Sequence, residues 1–69
     1  MIDPRDLAEL AEEVRLRAEA TLDDARFALQ LGDLDGSERL IGEADTLLRA
    51  SELMFTQAER LVVPLADMP

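Results

Sequence analysis

The chain has no cysteine, histidine, lysine, tyrosine or tryptophan. Each absence removes a class of chemistry. Without cysteine there is no disulfide and no thiol nucleophile. With histidine missing too, there is no ligand set for a structural zinc. Most general bases and all Schiff-base amines are gone. Ser37 and Ser51 have no base to activate them. A di-metal site in a helical bundle normally brings a Glu-x-x-His pair, which this sequence cannot form. The expectation is a protein that is not an enzyme and has no cofactor, no metal and no small-molecule substrate. Phe27 and Phe55 are the only aromatic residues. No stretch approaches the ~20 apolar residues of a membrane span. Residues 1–20 carry acids throughout, so no signal peptide is expected, and the cytoplasm is the expected location.

What is present is acid and helical periodicity. Sixteen acidic residues stand against seven basic ones, all arginine, for a net charge of -9 over 69 residues. Such a balance opposes binding to nucleic acid, which needs cations against phosphate. It also opposes anionic membrane surfaces. It suits a basic protein partner, or solubility alone.

Apolar and small residues recur at Leu7, Ala11, Val14, Ala18, Leu22, Ala25 and Leu29, and again at Leu40, Ala44, Leu47, Ser51, Met54, Ala58, Leu61 and Leu65. Steps of three and four mark one face of an α-helix. The fold expected is all-α: a single domain over 1–69, built as a two-helix antiparallel hairpin. Helix 1 is expected at about 4–31, the turn at 32–36, helix 2 at about 34–63 and a non-helical tail at 64–69. Asp3 suits the N-cap of helix 1, with Pro4 first inside it, and Ile2 and Leu7 can form a hydrophobic staple. Gly32 suits a helix stop with positive φ. Helix 2 starts after Asp33 or Asp35, the latter making a capping box with Glu38. Pro64 is expected to end it, leaving two helices of nearly equal length. The spacing of Leu7, Ala18 and Leu29 is eleven residues, closer to a straight helix than to a heptad coil. Val14, Leu22, Leu29, Leu47 and Met54 are expected to form the seam, while the alanines let the helices approach. Asp33-Leu34-Asp35-Gly36 fails as a calcium loop, because glycine falls at the fourth position and Ala44 at the twelfth. Glu13–Arg17 and Asp45–Arg49 have favourable i,i+4 spacing.

Leu16, Ala20, Phe27 and Leu31 fall on the side of helix 1 away from that seam. Helix 2 is apolar over an arc wider than one partner helix covers, and the arc includes Leu48 and Phe55. These six are the candidate partner-binding residues. A lone hairpin of this size has little core, so completion to a four-helix bundle is expected, through a homodimer or a protein partner.

Residues 25–48 resemble the middle of a tetratricopeptide repeat in Ala25, Ala28, Gly32-Asp33-Leu34, Ser37, Ile41 and Ala44. The helices are longer than that repeat's and its aromatic and closing proline are missing, so the likeness is read as convergent. In length, hairpin plan and lack of catalytic residues the chain is similar to the small co-chaperones of type III secretion needle subunits. The comparable region is 17–57, around Leu31-Gly32-Asp33. That resemblance implies docking on a tetratricopeptide-type chaperone and shielding of an aggregation-prone subunit. The function expected is a helical protein–protein interaction module: an adaptor, co-chaperone or small assembly subunit. The alternative is a small acidic inhibitor, for example phage-encoded, that covers a basic nucleic-acid-binding site by charge mimicry.

Overall fold

A computed structural model describes the backbone of residues 3–66 and the side chains of residues 3–61. It is an antiparallel pair of helices, α1 (Pro4–Gln30) and α2 (Leu34–Ala66), in a rod of 58 × 16 × 15 Å. The start of α1 follows from its first residues. The Asp3 carboxylate accepts a hydrogen bond from the Arg5 amide at 2.9 Å, and Pro4 occupies a position where no amide hydrogen is needed. Ile2, the other half of the expected staple, lies outside the described residues.

The turn is tighter than 32–36. Leu31 caps α1, Gly32 takes φ +80°, and α2 begins at Leu34. The Gly32 amide donates to the Leu29 carbonyl at 3.0 Å and the Asp33 amide to the Ala28 carbonyl at 2.9 Å. That pair of bonds is the Schellman motif, and it needs a residue without a Cβ penalty at Gly32. Asp33 then serves a second end. Its carboxylate accepts from the Gly36 amide at 2.9 Å, and its carbonyl from the Ser37 amide at 3.0 Å. Of the two starts open to α2, Asp33 is therefore the cap, and Asp35 lies in the first turn. Gly36 leaves room for that cap, since a Cβ there would come within 2.7 Å of Asp33 Cγ.

The other end corrects the expected stop. The helix runs through Pro64 to Ala66, so Leu65 and Ala66 are helical; residues 67–69 lie outside the described residues. Proline removes one ladder bond, to the Arg60 carbonyl, and crowds that carbonyl. Near a helix end this perturbs a single turn without stopping the helix. The two helices are consequently unequal, 27 and 33 residues.

The seam is made of small residues. Among the described residues the buried ones are Ala11, Ala18 and Ala25 on α1, and Ser37, Ala44, Ser51 and Ala58 on α2, and each set repeats every seven. No large side chain is fully buried among the described residues. Val14, Leu22, Leu47 and Met54 are half-buried and Leu29 is exposed, so they flank the seam instead of filling it. The physical reason is proximity. With only a methyl or hydroxymethyl between the backbones, a leucine on the line of closest approach has no space. The close approach also lets Ser51 Oγ donate to the Ala11 carbonyl, 2.8 Å away on the other helix. This bond sets the register, placing Ala18 across from Ala44 and Ala25 across from Ser37. Ser37 Oγ is buried with no hydrogen-bond partner. The two serines should therefore respond oppositely to alanine. Ser51→Ala is expected to cost about 1 kcal/mol, and Ser37→Ala to be neutral or stabilising. Urea unfolding followed by circular dichroism reads both, and equal effects would contradict the assigned register.

Candidate docking faces

Because the seam repeats every seven residues, the rows beside it do too, and they define two long faces. On the first face α1 contributes Ala8, Arg15, Leu22 and Leu29, and α2 contributes Leu34, Ile41, Leu48 and Phe55. On the second, α1 contributes Leu7, Val14, Thr21 and Ala28, and α2 contributes Leu40, Leu47, Met54 and Leu61. Both faces meet solvent. Leu34 is 65% exposed, and Leu29, Ile41 and Leu61 are each close to half exposed.

The rims distinguish the two faces. On α2 the row bordering the first face is Glu38, Asp45, Glu52 and Glu59, all exposed. The row bordering the second is Gly36, Glu43, Ala50 and Gln57. Asp45 pairs with Arg49 at 3.1 Å, while Glu38, Glu52 and Glu59 make no ion pair among the described residues. On α1 the rim of the first face has Arg5 and Arg26 at its two ends and Glu12 and Glu19 between them. Arg15 reaches into this rim, bridging Glu12 and, at 2.6 Å, Glu19. The Arg15 hydrogen bond lowers the Glu12 carboxyl from its ordinary value, and the same bond raises the Arg15 guanidinium. Both groups are solvated, so the pairing orders the rim more than it stabilises the fold. The expected Glu13–Arg17 pair does not form; Arg26 instead approaches Asp23 at 3.8 Å.

At the end remote from the turn the first face deepens. Asp3, Pro4, Arg5, Ala8, Phe55, Ala58 and Glu59 surround an open depression of about 510 Å³.

The six candidate residues do not make one surface. Leu16, Ala20 and Phe27 lie on the outer side of α1, with Phe27 61% exposed, and Leu31 is at the turn, 70% exposed. Leu48 and Phe55 are half-buried in the first face. The rows Leu34/Ile41 and Glu38/Asp45/Glu52/Glu59 were missed as a unit. Their common seven-residue spacing was the signal. Among the described residues no group of acids could hold a metal ion, and no helix is long and apolar enough to cross a membrane.

The chain exposes 5551 Å², whereas a folded monomer of 7.7 kDa is expected to expose about 4,300 Å². The excess of about 1,200 Å² exceeds what one partner buries in a standard interface, about 800 Å². Comparison with protein-family models, with curated proteins and with solved structures found no match to this chain.

Proposed function

We propose that this hairpin is a non-enzymatic docking module of the cytoplasm, an adaptor, co-chaperone or small assembly subunit, whose apolar faces are completed by another helix or hairpin. The observation that carries the reading is that, among the described residues, every large apolar side chain is left at least partly exposed, while the interior holds only alanine and serine. Small-residue packing brings the helices together but removes little apolar area from water, and area is what stabilises folded chains. The half-exposed rows are where the missing burial is available. The bundle completed in this way would have the hairpin as half or two-thirds of its helices. In the type III co-chaperone reading, Leu16, Phe27 and Leu31 are the docking residues.

The test is the behaviour of the isolated chain. Alone and dilute, it is expected to be helical but weakly stable, with a melting temperature that rises with its own concentration or with a partner. Phe27→Asp is expected to leave helicity unchanged, since Phe27 contacts mostly solvent, and to weaken association if the outer side of α1 is used. Circular dichroism with analytical ultracentrifugation reads both. A monomer that melts cooperatively above about 65 °C would show a self-sufficient fold and overturn the proposal.

The acidic row of α2 favours a second reading, inhibition by charge mimicry of a basic nucleic-acid-binding site. Salt separates the two. At about 0.5 M, screening acts over roughly 4 Å, so a charge-only complex should dissociate and an apolar one persist.

A further inference from the structure

We propose that the first face is a groove for a single amphipathic α-helix of another protein, one whose apolar stripe is bordered on one edge by basic residues. The inference rests on the docking reading above and names the partner's chemistry. Three observations converge on it. The apolar row Leu34, Ile41, Leu48 and Phe55 repeats every seven residues, the spacing that receives a helix laid alongside. The acidic row Glu38, Asp45, Glu52 and Glu59 runs beside it with the same repeat, so an occupant of that groove has its edge against four carboxylates over about 30 Å. Three of these carboxylates have no cation among the described residues.

The rims disfavour the obvious competitor, a second copy of this chain on the same face. No seven-residue row of the hairpin carries more than two arginines, so a second copy has no basic edge to offer. In the symmetric pairing with turns at opposite ends, the acidic row would face itself, and like charges in register oppose association. The α1 rim carries two arginines and two glutamates and leaves the other edge of the guest free to be mixed. The depression between Pro4, Ala8 and Phe55 gives one large guest side chain a place to insert, as interface anchors do. The carboxylates then choose the guest and its direction, and the leucine row holds it.

The experiment uses the full chain and three synthetic helical peptides of about 20 residues. They share one leucine stripe and differ along one edge, which is arginine, glutamine or glutamate. Isothermal titration calorimetry is expected to show one-to-one binding of the arginine-edged peptide, at least tenfold tighter than the glutamine-edged one, with no binding of the glutamate-edged one. The variant carrying Glu38→Gln, Asp45→Asn, Glu52→Gln and Glu59→Gln changes only exposed side chains. It is expected to keep its helicity and to lose the tenfold preference. Leu34→Gln with Ile41→Gln should weaken all binding at least tenfold, whereas Leu10→Gln, in the row of α1 that borders the second face, with Leu61→Gln, on that face, should change it less than twofold. The proposal is overturned if the three peptides bind alike, if the neutralised variant keeps the preference, or if the second-face pair carries the effect. It is also overturned if the chain dimerises through the first face, seen as dimer mass that Leu34→Gln with Ile41→Gln abolishes. In each of these cases a weakly stable hairpin that still gains stability from some peptide preserves the docking reading and removes only the basic-edged guest. A self-sufficient monomer removes both.

Discussion

Ala18→Leu is expected to unfold the hairpin or nearly so. Ala18 has no exposed surface, and the register set by the Ser51–Ala11 hydrogen bond places it across from Ala44, which has none either. Three added carbons at that point have no void to enter. The helices must separate, and separation also breaks the Ser51 bond one heptad away. Overpacking of this kind costs about 1–3 kcal/mol in ordinary cores. Here the upper end is expected, because the residues that meet at this point are alanines, which have no rotamer to change. For a chain of 69 residues that loss is a large part of total stability, about 3–10 kcal/mol at typical values. The control is Val14→Leu. Val14 is half-buried beside the seam, where a longer side chain can lean toward solvent, so a change within about 1 kcal/mol is expected. Thermal melts of both variants decide. An Ala18→Leu chain that melts higher would show that the helices are held by their large flanking residues and not by close approach.

Gly32→Val should be the most damaging single change at the turn, costing about 2 kcal/mol, with Gly32→Ala near 1 kcal/mol. Crowding is not the cause, since a Cβ at Gly32 would meet nothing within 4 Å. The cost is backbone conformation. At φ +80° an L-residue is strained, and a β-branched one more so. The strain cannot be relaxed locally, because Gly32 and Asp33 donate the two bonds that close α1 while Asp33 caps α2. Equilibrium urea unfolding measures it. If both variants are as stable as the parent, the helices are joined differently, as in a swapped dimer with one continuous helix, and sedimentation would report twice the mass.

Much of the hairpin was legible in the residues. Asp3 with Pro4 states where α1 begins, and Gly32 states where it ends, because capping and positive φ are local properties that few residue types satisfy. The alternating steps of three and four placed the helices for the same reason. The choice between Asp33 and Asp35 was not legible. Both are competent caps, and only the Schellman geometry that carries the chain from Leu31 to Asp33 selects between them. Pro64 misled because its rule concerns helix interiors, while here it lies in the final turn. The seam misled for a different reason. Alanine and leucine share a face on the helical wheel, and hydrophobicity ranks the leucines first, yet the line of closest approach passes through the smaller residues.

By itself, the order of residues determined two amphipathic helices, a glycine-stopped turn between them, and the removal of thiol, imidazole and amine chemistry. Each follows from what a residue can do alone or with neighbours three and four positions away. Tertiary structure decided which residues are interior, because burial depends on the distance between the two backbones. Once Ala18 meets Ala44 and Ser51 reaches the Ala11 carbonyl, the leucines have no place inside. They become rows along two outer faces. The Glu38, Asp45, Glu52 and Glu59 row then lies along the edge of one of them, where charge and apolar surface can be read together.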